Sequence, residues 1–382
     1  MNGRVSYLYT PESWSQEQFL AMGGFTVVFL NYNKISMIEK SAASALNQDF
    51  PLLEMFFMDD ASSDGSGDVM EQIVREYRGR HKVAVVRNDE NQYITGQWNI
   101  VSKLAMGNWF GMFCGDDVAH SDRVSVIAER IRQFPTLKGI ATAAVDIDAA
   151  TGKVLPDQHY VDAPFFIDGG STWSSFASRF KPNGSTTFWH RSLFSSPLPR
   201  VPMDDGYLLF RLFLWNRENR GPIFLYDSLL QTIDYSLGAG VSACGISVDL
   251  VAPKRIDWVG RERQYKLFVG KMMRTKKVAI TDAIDEGVGV DELGAFSYGM
   301  WKDRIYVADT TGRLMLLFPL FGFILRGRVC SRDKVRLLKM FVYLFFREFF
   351  GLTALSFVRE SWAKRFRGNT TCDRSSDDSI KT

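Results

Sequence analysis

The chain between Phe25 and Val145 alternates short apolar runs with amphipathic stretches. Short apolar runs are typical of strands buried on both faces, and apolar residues that recur every three or four positions are typical of helices packed on a sheet. The pattern predicts an α/β fold with a largely parallel sheet covered by helices. The predicted strands are FTVVFL, LLEMFFM, KVAVV, NWFGMF and IATAAV. The first predicted helix contains Ile35, Ile38, Ala42 and Ala45, and three more lie around residues 66–78, 94–106 and 122–134.

The pattern is less regular after Val145. Residues 148–153 are predicted to form a turn between two strands. A helix that ends at Asn216 and a strand at IFLYDSLLQTI are predicted further along the chain. Residues 253–307 have a mixed composition and are predicted to be mainly helical, whereas residues 369–382 are polar and are predicted to form a disordered tail.

Polar residues directly follow three of the predicted strands. Because ligands bind beyond the carboxyl ends of the strands in such sheets, these residues are candidates for a binding site. The chain has no GxGxxG motif after the first strand and no GxxxxGK[ST] motif, which argues against a dinucleotide-dependent dehydrogenase and a P-loop enzyme. The strand-end residues are Asn31, Tyr32 and Asn33, then Asp59 and Asp60, and finally Asp116 and Asp117.

The composition is that of a globular protein, with 46% hydrophobic and 23% charged residues in a chain of 382. The four cysteines are widely scattered and form no CxxC pair. The N-terminal sequence MNGRVSYLYTPESWSQEQFLAMGG contains no continuous apolar run followed by a cleavage site. We therefore expect reduced thiols and a cytoplasmic location.

The first acidic motif is MDDASSDGS at residues 58–66, which joins two carboxylates to a Ser/Asp/Gly turn. Carboxylates at the end of a strand can accept hydrogen bonds from a ribose hydroxyl or from the N–H of a base. Alternatively, Asp60 and Asp64 stabilise only the turn and the start of the following helix. The motif alone does not separate the two interpretations.

The second acidic motif is FCGDDVAHSDR at residues 113–123, in which Asp116 and Asp117 follow an apolar strand. If the strand alternation continues, these carboxylates point to opposite faces, so only one of them faces a given ligand. An Asp at a strand end is a suitable ligand for Mg²⁺ or Mn²⁺ bound to phosphates. The alternative is a solvated turn without a ligand.

The third acidic motif is PMDDGYLLFRLFLWN at residues 202–216, where two carboxylates precede an apolar helix. Acidic residues at the start of a helix interact favourably with its dipole, so a purely structural role is one interpretation. In the other interpretation, one of the carboxylates reaches the binding site and removes a proton from an acceptor hydroxyl as a general base.

In their order along the chain, these motifs resemble those of the inverting glycosyltransferases of family 2, which have the Rossmann-like GT-A fold and include bacterial enzymes of polysaccharide and lipid-linked sugar synthesis. The resemblance covers about residues 25–242. NYN ends the first strand, MDDASSDGS the second and FCGDD the fourth. Between them, Asn91, Asn99, Ala105 and Gly107 form the pattern N-x7-N-x5-A-x-G.

The resemblance implies transfer of a sugar from a nucleotide diphosphate to an acceptor hydroxyl, and it implies a role for each matching residue. Asp116 matches the metal-binding second acid of the family's DxD motif, with Mg²⁺ or Mn²⁺ as the cofactor. Asp205 matches the catalytic base, and Asp204 and Arg211 match supporting positions on the acceptor side. The residues that match nucleotide-sugar-binding positions are Asn31, Tyr32, Asp59, Asp60, Asn91, Asn99 and Asp117.

Three features depart from the family pattern. Cys114 replaces the first acid of DxD, and its soft sulfur is a poor ligand for Mg²⁺. Tyr93 and Trp98 stand where many relatives have Gly and Arg, and each ring can either stack on a base or sugar or pack in the core. Residues 234–242, DYSLGAGVS, lack the histidine of the family's YR-x-H segment.

The net charge of +3 hides a basic segment, residues 312–368, with twelve Lys or Arg against three Asp or Glu. The same segment is rich in Phe, Leu and Val, which favours an anionic membrane surface over a nucleic acid. LMLLFPLFGFIL is too short to span a bilayer, and Arg347 and Glu348 interrupt the longer apolar stretch. We expect peripheral attachment at the cytoplasmic face of the membrane. Packing as helices on the catalytic domain or in a dimer is the alternative.

The sequence therefore predicts that the chain has four parts. They are a GT-A catalytic domain at 23–245, a mixed and helical extension at 246–310, a basic amphipathic membrane-associating segment at 311–368 and a tail at 369–382. The expected partners are a nucleotide-diphosphate sugar donor and a saccharide or lipid-linked acceptor, without nucleic acid, and a homo-oligomer is left open.

Two alternative functions are left open. A nucleotidyltransferase uses a related sheet and a metal, but it normally has a Gly-rich basic loop after the first strand, which NYNKISM lacks. A sugar-nucleotide-binding or scaffold protein without catalytic activity is the second alternative, because Cys114 departs from the metal motif. The presence of both Asp116 and Asp205 argues for an active enzyme.

Overall fold

The structure is a computed structural model of the chain. It describes residues 3–148, 151–155, 164–168, 184–201, 204–216, 221–237, 274–275, 277–279, 281–286 and 338. The chain divides into two compact units, residues 1–296 and 297–382. Every described residue except Leu338 belongs to the first unit, so the fold and the site concern that unit alone.

The described residues form one mixed sheet of ten strands. The strands are β1 Gly3–Tyr9, β2 Phe25–Asn31, β3 Glu54–Asp59, β4 Lys82–Asn88, β5 Trp109–Cys114, β6 Val118–Ala119, β7 Gly139–Asp148, β8 Phe165–Asp168, β9 Thr187–His190 and β10 Pro222–Leu237. Their order in the sheet is β1-β4-β3-β2-β5-β9-β7-β10-β6, with β8 beside β10. Strands β4, β3, β2 and β5 are parallel, β9 is antiparallel to β5 and β7, and β10 is parallel to β7. The predicted α/β class with a largely parallel sheet is confirmed.

Six α-helices are described over their full length, and helical residues also occur between 274 and 285. They are α1 Gln16–Ala21, α2 Ile38–Leu46, α3 Ser66–Glu76, α4 Tyr93–Leu104, α5 Arg123–Gln133 and α6 Asp204–Asn216. Helices α3, α4 and α5 confirm the three predicted ranges, with small differences at their ends. The apolar spacing also places Ile35 in a helix, but α2 begins only at Ile38. Ile35 is 47% exposed, and its N–H instead donates to the Asp64 carboxylate at 2.9 Å.

Helices cover both faces of the sheet. Along β2, Val27 and Phe29 belong to a core shared with α2, α3 and α5, whereas Val28 and Leu30 belong to a second core shared with α4 and α6. Successive side chains of a strand point to opposite faces, so a strand covered on both sides is apolar throughout. Trp98 of α4 is fully buried in the second core, which gives this residue a packing role.

The N-terminal strand β1 is a feature that the apolar pattern does not predict. It pairs antiparallel with β4 at the outer edge of the sheet. Two of its apolar side chains, Val5 and Leu8, are 43% and 57% exposed. Because this edge strand lacks a fully buried apolar run, it carries little of the signal by which the central strands are recognised.

The predicted turn at residues 148–153 is confirmed. The N–H of Asp148 donates to the carbonyl oxygen of Lys153 at 2.9 Å, and Ile147 and Val154 form an antiparallel bridge. Gly152 has a φ of +67°, a backbone conformation that glycine adopts more readily than other residues. The turn therefore joins the end of β7 to a short returning segment.

Several predictions lie outside the described residues. They include the domain boundaries near 245, 310 and 368, most of the extension at 246–310, and all of the basic segment 311–368 except Leu338. The described residues between 274 and 285 of that extension are helical. Within the part of the chain that the structure describes, no helix has the length and apolar character needed to cross a membrane. The predictions on the C-terminal segment therefore stay predictions.

Candidate functional site

The carboxyl ends of the four central parallel strands meet at one edge of the sheet. Asn31, Asp59 and Cys114 are the last residues of β2, β3 and β5. The backbone continues the pairing beyond the strands, because the N–H of Gly115 donates to Leu30 at 2.8 Å and the N–H of Asp60 donates to Asn31 at 3.0 Å. The polar motifs that are far apart in the sequence are therefore neighbours in space.

Asn31 and Asp59 are buried and bind each other. Nδ2 of Asn31 donates to Oδ1 of Asp59 at 2.8 Å and to Oγ of Ser66 at 3.0 Å, and Oδ2 of Asp59 lies 3.5 Å from Nε of Arg87. A Cβ atom at Gly67 would lie 2.6 Å from the Asp59 carboxylate, so glycine lets α3 begin this close to β3. Both side chains thus join the strand ends to α3, and Oδ1 of Asn31 has no partner among the described atoms.

Asp60 holds the loop between β4 and α4. Its Oδ1 accepts hydrogen bonds from Nδ2 of Asn88 at 2.9 Å and from the N–H of Gln92 at 2.8 Å, and its Oδ2 accepts one from the N–H of Tyr93 at 3.0 Å. Burial, the largest effect, raises the pKa of Asp60 above its ordinary value despite these bonds. Oδ1 of Asn91 also accepts from the N–H of Tyr93, at 2.9 Å. The loop that contains the predicted donor-binding Asn91 is therefore fixed by Asp60.

Two aromatic rings are exposed at or near this edge. Tyr32 is 38% exposed and Tyr93 is 53% exposed. Tyr93 has a φ of +59°, which is uncommon for a residue other than glycine, and the guanidinium carbon of Arg200 lies 4.3 Å from the centre of its ring. Of the two aromatic departures from the family pattern, Trp98 is a core residue and Tyr93 is available for contact with a ligand.

Asn99 and Arg211 bind the backbone of the segment that precedes α6. Asn99 makes two bonds to Leu198, donating from Nδ2 to its oxygen at 2.9 Å and accepting its N–H at 2.7 Å. Arg211 donates to the carbonyl oxygens of Leu193, Ser196 and Pro197 at 2.8–2.9 Å. The predicted acids Asp204 and Asp205 are the first two residues of α6, but their side chains lie outside the described atoms.

Cys114, Asp116 and Asp117 form a compact group, in which one potential ligand atom from each residue lies within 4.8 Å of the others. Strand β5 ends at Cys114, and the N–H of Asp117 turns back to the Cys114 carbonyl at 3.2 Å. Because residues 115–117 form a turn, the alternation of a strand does not extend to the two acids. The expectation that they point to opposite faces and cannot share a ligand is therefore wrong.

The two carboxylates of this group have different surroundings. Oδ2 of Asp116 lies 2.9 Å from Nζ of Lys34. Asp117 is buried, and its Oδ1 accepts the N–H of Ser236 at 3.0 Å. Its Oδ2 has no hydrogen-bond partner of normal geometry among the described atoms, although the side chain of Ser185 acts on the carboxylate as a hydrogen-bond partner and opposes the rise in its pKa. Burial and, to a smaller extent, the charge of Asp116 raise the pKa of Asp117 well above its ordinary value.

A buried arginine lies next to the acidic group. Arg123 is 1% exposed and donates to the carbonyl oxygens of Met112 at 2.9 Å and Ser185 at 2.5 Å. Burial lowers the pKa of Arg123 to about 9, while the charges of Cys114 and Asp117 act in the opposite direction. The hydroxyl of Ser185 donates to Sγ of Cys114 at 3.1 Å. Arg123 and Ser185 thus form a fixed support beside Cys114.

The sequence motifs do not identify Lys34, Arg123, Ser185 and Ser236 as members of this site. Lys34 directly follows NYN, and its position after a strand end is a signal that can be recognised. Ser185 and Ser236 lie 71 and 119 residues from their partners in the acidic group, so no local pattern indicates them. They are brought to the site by β9 and β10, whose pairing is a property of the whole sheet.

The group fits a divalent cation. Two carboxylates provide hard oxygen ligands of the kind that Mg²⁺ and Mn²⁺ take in proteins. A buried acceptor without a partner, Oδ2 of Asp117, is unfavourable unless a cation or water satisfies it. Cys114 adds a soft sulfur ligand, which suits Mn²⁺ better than Mg²⁺.

Comparisons with known proteins identify the segment that carries these motifs. No curated protein sequence matches the chain. Similar solved structures include Staphylococcus aureus TarS 1–349 in complex with UDP-GlcNAc, with 17% identity, a TM-score of 0.47, and coverage of 78% of this chain and 86% of that one. They also include mannosyltransferase PcManGT from Pyrobaculum calidifontis in complex with GDP-Man and Mn²⁺, with 12% identity, a TM-score of 0.44 and coverage of 86% and 87%. Residues 26–173 match the sequence model of glycosyl transferase family 2, which confirms the resemblance of the strand-end motifs to that family.

Proposed function

We propose that the chain transfers a glycosyl group from a nucleotide-diphosphate sugar to an acceptor hydroxyl, with inversion at the anomeric carbon. The family match over residues 26–173 supports glycosyl transfer from a nucleotide sugar. The observation that carries the finer proposal is the grouping of Asp116 and Asp117 at the carboxyl ends of the parallel strands, inside the matched segment. This is the edge at which such sheets bind their ligands.

The donor binds along the edge formed by β2, β3 and β5. Asp116 and Asp117 would hold Mg²⁺ or Mn²⁺, and the bound ion would supply positive charge for the departing diphosphate. The exposed ring of Tyr32 is available to the nucleoside, and the buried Asn31 positions the strand end beneath it through its bond to Asp59. Lys34, whose ammonium lies 2.9 Å from Asp116, provides a second positive charge next to the phosphates.

Asp205 acts as the general base. The acceptor oxygen forms a bond to the anomeric carbon as the bond from that carbon to the diphosphate breaks, and the acceptor proton passes to the Asp205 carboxylate. Attack from the face opposite the nucleotide inverts the configuration. Support comes from the match of PMDDGY to the family pattern and from Arg211 and Asn99, whose bonds to residues 193–198 fix the approach to α6.

The acceptor is a saccharide or a lipid-linked sugar at the cytoplasmic face of the membrane, in the synthesis of a cell-surface polysaccharide or glycolipid. The support is the basic and aromatic composition of residues 312–368. Flotation of the full chain with vesicles tests the location. We expect the chain to bind anionic vesicles, and salt to weaken this binding only in part. If the chain bound neither anionic nor neutral vesicles, the proposed location would be contradicted.

Release of nucleoside diphosphate from a panel of nucleotide sugars, with and without Mn²⁺, tests the reaction. We expect metal-dependent release that Asp116→Asn abolishes, and the exposed Asp89→Asn serves as the matched control. Release of a sugar phosphate instead would indicate transfer of the nucleotidyl group, as in a nucleotidyltransferase. Donor binding without any release would indicate a binding protein.

A further inference from the structure

The geometry points to Cys114 as a ligand of the divalent cation, and as the residue that makes the site prefer borderline ions such as Co²⁺ and Zn²⁺ over Mg²⁺. The inference rests on the proposed function for the presence of a metal site. It goes beyond that function by giving the sulfur a role of its own, in place of a lost acid. Three independent observations carry it.

The first observation is the spacing of the ligand atoms. Sγ of Cys114 and one carboxylate oxygen from each of Asp116 and Asp117 lie within 4.8 Å of one another. Zinc, as an example, takes sulfur at about 2.3 Å and carboxylate oxygen at about 2.0–2.2 Å in tetrahedral geometry, so two of its ligands lie about 3.5 Å apart. Side-chain shifts of about 1 Å therefore bring all three atoms to one ion.

The second observation is the buried oxygen of Asp117. The residue is 5% exposed, Oδ1 is bound by the N–H of Ser236, and Oδ2 lacks a hydrogen-bond partner of normal geometry among the described atoms. A cation shared with Cys114 and Asp116 satisfies this acceptor. The same cation offsets the repulsion between two neighbouring carboxylates.

The third observation is the support around the sulfur. Cys114 ends β5 and is partly buried, and the hydroxyl of Ser185 donates to its Sγ at 3.1 Å. Arg123 in turn holds the carbonyl of Ser185 at 2.5 Å. The sulfur is therefore held in place beside the carboxylates. Cys114 binds the metal as a thiolate, so its proton passes to solvent when the metal–sulfur bond forms.

The mixed ligand set determines which ions bind well. Mg²⁺ demands oxygen ligands in near-octahedral geometry and gains little from a thiolate. Co²⁺ and Zn²⁺ accept carboxylate and sulfur together, whereas Mn²⁺ is harder and gains less from a thiolate. A site with Asp at position 114 would lose this selection. Cys114 is therefore a specificity-determining residue for the cofactor.

Optical titration of the full chain with Co²⁺ in the absence of a donor tests the ligand assignment. We expect a sulfur-to-cobalt charge-transfer absorption in the wild-type protein, its loss in Cys114→Ser, and its weakening in Asp116→Asn. Cys372→Ser, in the polar tail, is the matched control and should keep the band. Absence of the band in the wild type, or its persistence in Cys114→Ser, overturns the proposal. Thermal unfolding of each variant shows whether it is folded.

Replacement by the family's acid tests the specificity. Cys114→Asp should shift the ratio of the half-saturating concentrations of Mg²⁺ and Co²⁺ at least tenfold in favour of Mg²⁺, and an unchanged ratio overturns the proposal. The two proposals fail separately. A Cys114-dependent cobalt band without release of nucleoside diphosphate refutes only the proposed function, whereas metal-dependent release without that band refutes only the role of Cys114.

Discussion

Nζ of Lys34 lies 2.9 Å from Oδ2 of Asp116, and the two side chains are only 14% and 9% exposed. Water therefore screens this ion pair less than a pair on the surface. The backbone N–H of Lys34 donates to Oγ of Ser66 at 3.3 Å, which fixes the backbone just after β2. From there the side chain extends to Asp116 in the turn after β5. The carboxylate proposed as the main metal ligand is thus already paired with a cation, and a divalent ion must compete with it.

Lys34→Met should strengthen metal binding in the absence of a donor. Removal of the competing ammonium is expected to lower the dissociation constant of Mn²⁺ about tenfold, a change of about 1.4 kcal/mol. The same variant should lower turnover, because the ammonium is also proposed to face the diphosphate. Titration with Mn²⁺, followed by its electron paramagnetic resonance signal, measures the affinity. Lys40→Met, an exposed lysine on α2, is the control, and weaker Mn²⁺ binding in Lys34→Met would contradict the competition.

Asp205→Asn should separate catalysis from stability at the start of α6. If Asp205 is the general base, the kcat of the Asp205→Asn variant is about 10²–10⁴-fold lower than that of the wild type, while donor affinity changes little. Asp204→Asn should have a smaller effect on kcat. If both acids only stabilise the helix start, each change lowers the free energy of unfolding by about 1 kcal/mol and leaves activity near normal. Turnover and thermal unfolding measured on the same two variants distinguish these cases, and normal turnover in Asp205→Asn removes the assignment.

Substitutions of Trp98 and Tyr93, the two aromatic residues that depart from the family pattern, should have different effects: the first on stability and the second on donor binding. Trp98→Ala removes a fully buried ring and is expected to lower the free energy of unfolding by about 3–5 kcal/mol. Tyr93→Gly removes an exposed ring and relieves a positive φ, so stability should change by less than about 1 kcal/mol. We expect Tyr93→Gly to raise the donor KM, and Tyr93→Phe to retain the wild-type value. A KM unaffected by Tyr93→Gly would show that the ring does not contact the donor.

Acid should destabilise the fold through His81. Its ring is 1% exposed, its Nε2 lies 3.2 Å from the Gln48 carbonyl oxygen, and burial lowers its pKa to about 4 from the ordinary 6.5. Between pH 6.5 and about 4 the unfolded chain binds a proton that the folded chain does not, so stability falls as the pH falls through this window. His81→Gln should reduce the loss of unfolding free energy between pH 7 and 4.5 by about 2 kcal/mol. Denaturant unfolding at several pH values measures the difference, and equal pH profiles would refute the role of His81.

The central strands are predictable because both of their faces are buried. In β2, for example, Val27 and Val28 face different cores, so the whole strand is apolar and stands out from its surroundings. Strand β1 is different, because its apolar residues at the sheet edge are partly exposed. The end of a buried strand is also predictable, and with it the position of Asp116. The direction of the Asp116 side chain is not predictable, because the turn after Cys114 breaks the alternation of side chains along the strand.

The partners of the site residues depend on contacts that no local pattern encodes. Asn99 matches a motif position, yet both ends of its amide bind the backbone of Leu198, 99 residues away. In the same way, Arg123 lies within a recognisable acidic motif, but its role depends on a hydrogen bond to the carbonyl oxygen of Ser185, which is 62 residues further along the chain. Such bonds depend on the tertiary structure around β9 and β10, which pair with strands far away in the sequence. Residue types at strand ends can thus be predicted, whereas the division between structural and ligand-facing groups needs the fold.

The contact between Gly67 and Asp59 constrains how this chain can diverge in evolution. Any side chain at position 67 would place its Cβ 2.6 Å from the Asp59 carboxylate. A lineage that gains a larger residue at 67 must therefore replace Asp59 by a smaller residue or move the start of α3, and loss of that acid would also release Arg87 and Asn31. Among natural variants of this protein, the two positions should change together and almost never singly.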